Sequence, residues 1–351
     1  MLKIFKRILK RIFFNFYLIQ KTQWIKLFKY YNSNSNNILF IYPSYPQKAF
    51  SYFFSGVFEN DFALLNAIID NKLDFKIIIG AKGLKRLKNK TIFYNISNLF
   101  SFYNGANYAE SMLNFFREIE LNNKIIPNIN NAVYWENKLF MHEKFKELDI
   151  SHPKTVTIKK GQNFTLPDTF KFPILYKPAH GSGSTGIIKI DSAIEFDNKI
   201  KNFKKEDFLI QEWVDMRCDL RLIFIGDELV LHYWRKNNSA LWSPTSTGHG
   251  SSVDFEKLPT KWMDFIFNEY KKLNLKAGAF DITWEKDDFD SKPLILEVSP
   301  SFMPNPAPLG EFLEKPYKDF KNSFWGKNAY HKQYINLVFD LKKKLICEYL
   351  K

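Results

Sequence analysis

Apolar positions recur at two spacings along this chain, and the spacing marks its elements. Near the start, Leu2, Phe5, Ile8, Leu9, Ile12, Phe13 and Phe16 fall at helical spacing, while Lys3, Lys6, Arg7, Lys10 and Arg11 gather on the opposite side. That pattern predicts a basic amphipathic helix, whose aromatic and basic character Trp24, Phe28, Tyr30 and Tyr31 prolong. A polar run over 32–37 reads as a linker. Beyond it, Ile38 to Tyr42 and Phe75 to Ile79 are short apolar runs of the buried-strand kind, and Phe62 to Asn71 between them has helical spacing, giving a βαβ unit. Ala109 to Leu121 reads as another helix and Asn131 to Leu148 as one or two more. Pro153 then forbids helix, and Thr155 to Ile158 resumes strand.

The second half alternates strands and turns. Phe172 to Tyr176 is an apolar strand, followed by Lys177-Pro178, the small-residue stretch Gly181-Ser182-Gly183-Ser184-Thr185-Gly186, and a second strand from Ile187. Three glycines among hydroxyl residues let backbone N–H groups approach a polyanion closely, with Lys177 adding a point charge; the same composition also serves a plain hairpin turn. The spacing matches neither the nucleotide-binding P-loop nor the dinucleotide fingerprint. Phe208 to Val214 is a strand carrying Glu212. Asp219 to Ile225 alternates and turns at Gly226-Asp227 into Leu229 to Arg235, a hairpin. A small-residue loop follows over Ser243 to Ser252, then a helix over Trp262 to Leu273. Two more strands, Ala279 to Trp284 and Pro293 to Ser299, each hold one carboxylate, Asp281 and Glu297, among apolar neighbours. A carboxylate so placed needs a partner if it is buried. Tyr334 to Tyr349 is a lysine-rich amphipathic helix, read either as a cap on the domain or as a pairing surface for another copy.

Composition narrows the function. At 351 residues, 45% hydrophobic and 25% charged, the chain has room for about two domains. Its net charge of +14 invites a nucleic-acid reading, yet much of the excess is local: the first 36 residues hold eight Lys or Arg and no acid, and the first carboxylate is Glu59. Charge on an apolar-backed helix, with no recognised binding motif, argues against nucleic acid. No uncharged apolar run reaches the roughly 18 residues a bilayer span requires, and basic residues interrupt any signal-peptide core. Two readings of the helix stay open: it lies on an anionic membrane surface through residues 1–20, or its apolar face packs on the protein. Cys218 and Cys347, far apart, suggest a reducing compartment, so the expected location is cytoplasmic, and peripheral at the inner membrane face only on the first reading of the helix.

Read in order, a lysine opening a helix, a second lysine before a glycine-rich hairpin, a strand-ending Glu, Asp-x-Arg, a later Arg, then Asp281 and Glu297 resemble the ATP-grasp superfamily, in particular its glutathione-synthetase-like and glutamate-adding carboxylate-amine ligases. The resemblance covers roughly residues 130–305. It implies an α/β (α+β) architecture: a helical segment 1–36, a preceding α/β domain 37–128, an ATP-grasp domain 129–310 with a lid about 153–212, and a helical extension 311–351. It implies ATP and Mg²⁺ as cofactors, with Lys138 and Lys177 on the nucleotide, Gly181, Ser182, Gly183, Ser184, Thr185 and Gly186 over the phosphates, and Gln211, Glu212, Trp213 and Val214 as a hinge against adenine. The backbone of Glu212 and Val214 would bond the base, with Asp219 near the ribose. Arg221 and Arg235 would hold the substrate carboxylate and its developing phosphate, a structural ion pair being their other reading. Asp281 and Glu297 would ligate magnesium, unless they are an edge-strand pair facing solvent or lysine. Ser299 stands where the family usually has Asn, so the third metal contact falls to Ser299, to water or to Asn305. The implied partners are a small-molecule, glycan or peptide carboxylate and an amine acceptor. Two other functions share these residues: a catalytically silent scaffold at the membrane surface and a phosphotransferase.

Overall fold

A computed structural model describes residues 12, 14–41, 52–53, 56–97, 108–181, 183–203, 206–237, 239, 242–246, 249–255, 258–302 and 324–351. Two compact units divide the chain, one of residues 1–132 with 303–351 and the other of residues 133–302.

The first unit is built on a parallel sheet, β1 (Asn37–Ile41), β2 (Lys76–Ile79), β3 (Thr91–Phe93) and β4 (Lys124–Ile126), in the order β2-β1-β3-β4. In the central strand Ile38, Leu39 and Phe40 are fully buried, as a parallel strand covered on both faces requires. The connection from β1 to β2 contains α2 (Gly56–Asp70), following the shorter α1 (Trp24–Tyr30); α3 (Tyr108–Glu120) precedes β4. The helical spacing read from the sequence is realised in α2, whose Leu64, Leu65, Ala67, Ile68 and Ile69 pack with Leu39, Phe75 and Phe93.

The lysine-rich C-terminal helix runs from Phe324–Leu350, and caps this same unit. Tyr334, Ile335, Val338 and Phe339 pack against Phe58 and Ala63 of α2, and Ile346 reaches the sheet-side cluster. Tyr334 donates to Glu59 at 2.8 Å, and Tyr349 to Asn131 at 2.9 Å. The polar run 32–37 is likewise tied down where the sequence suggested a linker. Asn32 N–H donates to Phe75 O at 2.8 Å, Ser35 is buried, and its hydroxyl donates to Asp74 O at 3.1 Å. Short Asn and Ser side chains satisfy the backbone locally, so polarity there marks tight turns. Of the expected N-terminal amphipathic helix, residues 1–11 and 13 lie outside the described residues; 14–21 are helical, with Phe14 and Leu18 buried in the α2 cluster.

The second unit holds two antiparallel sheets. One has four strands, β5 (Thr155–Ile158), β6 (Ile174–Pro178), β7 (Ile188–Ile190) and β8 (Phe208–Glu212), in the order β5-β8-β6-β7. Helix α5 (Ala193–Phe203) covers it, with Tyr176 and Phe203 stacked at 3.8 Å between ring centroids. The other sheet has the order β11-β10-β9-β12-β13, from β9 (Cys218–Ile225), β10 (Glu228–Lys236), β11 (Ser252–Asp254), β12 (Ala277–Thr283) and β13 (Leu294–Ser299). Every residue of β12 is buried. Helix α6 (Met263–Lys272) packs its Tyr270 ring on Phe224 at 4.6 Å. Helix α4 (Lys138–Glu147), capped by Asn137, meets β13 where Val298 N–H approaches Met141 Sδ at 3.2 Å.

Two outcomes test the first unit. Ile335→Ala removes a 3%-exposed side chain from the α2 contact and is expected to lower stability by about 2–4 kcal/mol in urea unfolding; a loss below about 1 kcal/mol contradicts the packing. Asp61 is buried beside Tyr52, Asn95 and Lys342; burial pushes its carboxyl up to about 7, although Asn95, Tyr52 and Lys342 pull the other way. A raised carboxyl favours the folded state below its unfolded value of about 4, and that contribution is lost as pH rises to about 7. Asp61→Asn is therefore expected to flatten the fall in stability between pH 5 and 8, measured by denaturation at each pH; an unchanged slope refutes the assignment.

Candidate functional site

Strand register sets the first part of the site. Across four neighbouring strands, Tyr233 faces Arg221, Arg221 faces Asp281, and Asp281 faces Glu297. Directly opposed residues share a face of the sheet, so side chains far apart in sequence form one transverse row. Arg221 grips Asp281 with a guanidinium fork, Nε to Oδ1 and Nη2 to Oδ2, both at 2.6 Å. In the adjoining row Arg235 faces Asp219 and donates from Nε to Oδ1 at 2.8 Å; its Nη2 contacts Asp219 Oδ2 and, at 2.9 Å, Asp281 Oδ2. Thr245 donates to Asp219 Oδ2 at 2.9 Å. Asp219, Arg235 and Asp281 are all buried, which only mutual pairing makes tolerable. Burial alone would raise the Asp281 carboxyl; the charges of Arg221 and then Arg235 outweigh it and hold the group well below the usual carboxylate range.

The second part is a cavity lined by Lys138, Lys177, Glu297 and the loop residues Gly181, Gly183 and Ser184, its remaining wall being Met141, His142, Ile187 and Leu296. Lys138 opens α4; its N–H donates to Ala179 O at 3.0 Å and its ammonium to Gly181 O. Lys177, on β6, donates to Gln211 Oε1 at 2.6 Å, and Gln211 Nε2 donates to Thr155 Oγ1 at 2.9 Å. Burial brings the Lys177 ammonium down to about 8, opposed by Glu297 and Asp281 and assisted by Lys138. The glycine stretch joins β6 to β7 as a hairpin loop with φ of +131° at Gly181, +62° at Gly183 and +78° at Gly186. At Gly186 the conformation and the space both demand glycine, since an added Cβ would sit 3.1 Å from Pro178 Cγ. Ser182 lies outside the described residues, and Thr185 is exposed.

The sequence-derived site therefore resolves into two clusters joined by the Asp281–Glu297 pairing. Lys138, Lys177, the loop and Glu297 converge on the cavity, whereas Arg221, Arg235 and Asp219 form a paired ionic network. Both arginines are ion-paired, Arg221 with Asp281 and Arg235 with Asp219 and Asp281. Asp219, expected near a ribose, has its oxygens on Arg235 and Thr245. Of the hinge, Glu212 N–H is spent on Lys154 O at 2.9 Å because β8 pairs with β5 there, so that group is not open to a base as expected. Gln211 is held between Lys177 and Thr155, Val214 is buried, and Trp213 carries the Lys189 ammonium 4.7 Å from its ring centroid.

Oxygen donors alone make up the candidate metal set. Among the described residues no group of three or more His, Cys, Asp or Glu is arranged to hold a metal, and the Glu297 carboxylate makes no hydrogen bond or ion pair. Glu297 is the open carboxylate, Asp281 is its cross-strand neighbour under two arginines, and the Ser299 hydroxyl donates to Ser301 O at 2.7 Å while keeping its lone pairs. One or two carboxylates with phosphate and water completing the shell suit Mg²⁺, so this donor set fits that ion. Asn305 lies outside the described residues. Cys218 approaches Asp287 Oδ1 at 3.3 Å, and burial first, then that carboxylate, pushes its thiol up to about 12, leaving no thiolate for nucleophilic work. Sequence reasoning passed over His142, although it stands one helical turn after Lys138, a spacing that puts both side chains on one face of α4.

No family model matches the sequence, and no curated protein matches it. Among solved structures, the D-alanine–D-alanine ligase of Bacillus anthracis complexed with ATP is similar at a TM-score of 0.54 and 12% identity, covering 90% of this chain and 98% of its own. The ATP-grasp ligase PsnB complexed with a minimal precursor gives 0.50 at 10% identity, over 91% of this chain and 100% of that one. The D-cycloserine synthetase DcsG gives 0.50 at 10% identity, over 87% and 99%. With its lysines, glycine hairpin and paired strand carboxylates in the order described, this chain has the ATP-grasp fold.

Proposed function

We propose that this protein is an ATP- and Mg²⁺-dependent ligase that activates a carboxylate as an acyl phosphate for attack by an amine. The observation that carries the reading is one cavity shared by Lys138, Lys177, the glycine loop and the partner-free Glu297, with two arginines on the adjoining strands. A carboxylate and an amine do not condense at neutral pH because hydroxide leaves poorly. In the proposed reaction a carboxylate oxygen attacks the γ-phosphorus, ADP departs, the amine nitrogen attacks the acyl carbon, and phosphate leaves with the bond electrons. The chain's part is positional and electrostatic. Lys138 and Lys177 offset phosphate charge, the loop N–H groups cradle the phosphates and exclude water, and Arg221 and Arg235 take the substrate oxyanions in exchange for part of their hold on Asp281 and Asp219. Glu297, with Asp281 and Ser299, would hold magnesium, which would supply charge neutralisation on the transferring phosphoryl group. No protein nucleophile is required.

The substrate class we assign is a glycan or peptide carboxylate with a small amine. It rests on the small polar residues of Ser243 to Ser252, whose Thr245 and Ser246 reach Asp219 and, at 3.5 Å, Gly183 O. A second reading is favoured by the arginine grip on Asp281 together with Ser299: a catalytically silent protein of the same fold.

We also infer that the enzyme works at the cytoplasmic face of an anionic membrane. Among the described residues no helix is long and apolar enough to cross a bilayer, so contact would be peripheral. Its support is a helix apolar on two sides. Phe14 and Leu18 go to the core, whereas Ile12, Phe16 and Ile19, which continue in sequence the stripe Leu2-Phe5-Leu9, are 45%, 61% and 39% exposed. Ile25 and Phe28 on α1 are 89% and 76% exposed, beside Lys26 and Lys29. Apolar exposure beside cations, on a sequence segment that itself carries no acid, is the chemistry of an anionic headgroup layer.

Glu297→Gln is expected to abolish Mg²⁺-dependent ADP release with substrate, by about a hundredfold or more, while circular dichroism stays native. Undiminished turnover would remove the metal assignment, and no turnover by the unaltered chain on a broad panel of amines and carboxylates would favour the silent reading. For the membrane, the full chain should float with vesicles containing phosphatidylglycerol and not with phosphatidylcholine alone, and Phe16→Ser with Ile25→Ser and Phe28→Ser should bind at least about tenfold more weakly. Equal flotation of the variant defeats the inference.

A further inference from the structure

Among the titratable side chains lining the cavity, Lys138, Lys177 and Glu297 have been given a function and His142 has not. It is 3% exposed, and neither ring nitrogen has a hydrogen-bond partner. Such a group is rare in a folded protein, because a buried imidazole left unpaired keeps the full penalty of desolvation. Its immediate neighbours do not relieve it. The ring packs edge-on to Phe145 at 5.4 Å between centroids and lies 5.7 Å from the ring of His152, whose own Nδ1 is 2.7 Å from Ile150 O. By contrast, the two lysines of the same wall are both bonded, Lys138 to Gly181 O and Lys177 to Gln211 Oε1.

The surroundings also define the protonation state. Burial, then the charges of Lys177, His152 and Lys138, hold the imidazole well below its ordinary range, so the ring is neutral and carries one N–H and one bare nitrogen. Two ammonium groups close enough to act on the ring mark this as the cationic end of the cavity. The rest of its wall is the apolar Met141, Ile187 and Leu296, the loop residues Gly181, Gly183 and Ser184, and the Glu297 carboxylate, while the charges that act on the His142 ring are those of Lys177, His152 and Lys138. A ligand completing His142 here must offer an acceptor oxygen in a place that attracts negative charge.

We propose that His142 is a nucleotide-binding residue whose N–H donates to a phosphate oxygen held between Lys138 and Lys177. The inference rests on the ATP reading above and deepens it, adding a neutral donor to two cations. A neutral donor gives direction to a phosphate that point charges alone leave free to rotate.

Isothermal titration of the full chain with Mg-ATP, ADP and adenosine tests it. His142→Phe keeps the ring volume and deletes the donor; it should weaken ATP and ADP by about tenfold, leave adenosine unchanged, and unfold no earlier than the unaltered chain. His142→Gln or His142→Asn, which return an N–H at the position of one ring nitrogen or the other, should recover most of that loss in one of the two. ATP binding by the Phe variant within about twofold of the unaltered chain overturns the inference while leaving the ATP reading intact. Equal weakening of adenosine assigns the contact to the base and overturns it as stated. Failure of the unaltered chain to bind ATP removes both. Should the Phe variant misfold, His142→Leu replaces it with the same expected losses.

Discussion

Two guanidinium groups and two carboxylates share the interior of the five-stranded sheet, and the second unit is arranged so that none of the four is left alone. Charges of this kind are strongly disfavoured away from water unless each finds an opposite in good geometry. Here antiparallel register does the work. Because β9 lies between β10 and β12, Arg221 meets Asp281 directly and Arg235 meets Asp219, with Arg235 bridging to the second carboxylate. A slip of one residue in either pairing would turn the row to the opposite face and strand every charge. Buried, all-apolar neighbours such as Leu220, Leu222, Phe280 and Ile282 fix the alternate face and so hold the register that the charges need.

That row also ties the sheet to the cavity. Glu297 continues it by one strand, standing opposite Asp281 and beside Lys177, so the ionic network and the lysine-lined cavity are joined at β13. Helix α4 leans on the same strand through Met141 and contributes Lys138 and His142 from one face. The four-stranded sheet supplies the remaining part, since β6 ends in Lys177 and continues into the glycine hairpin. Three elements distant in sequence thus converge on one cavity.

Much of this was legible in the amino-acid order. Alternation over β9 and β10 around Gly226, the apolar runs of β1 and β2, and the helical spacing of α2 each carry a local signal that tertiary context did not override. The glycine stretch declared its hairpin for the same reason. What stayed hidden was non-local. Arg221 and Asp281 are separated by sixty positions, and only the register of β9 on β12 makes them partners. Helix α5 was passed over in the sequence although Phe196, Ile200 and Phe203 fall at helical spacing, all three packing on the core of the four-stranded sheet with Phe203 stacked on Tyr176. The Asn- and Ser-rich run 32–37 read as a linker because polarity alone does not distinguish a loose segment from side chains bonding their own backbone. His142 passed as one more histidine, its isolation visible only once its neighbours were known.

The return of the C-terminal helix to the first unit bears on biosynthesis. The parallel sheet is made early, yet Ile335, Val338 and Ile346, which cover α2 and its cluster, are made only after the whole of residues 133–302. The second unit, contained within residues 133–302, can complete its sheets while synthesis continues. During that interval the α2 surface stands uncovered, a stretch of chain for chaperones to shield until the helix from Phe324–Leu350 emerges.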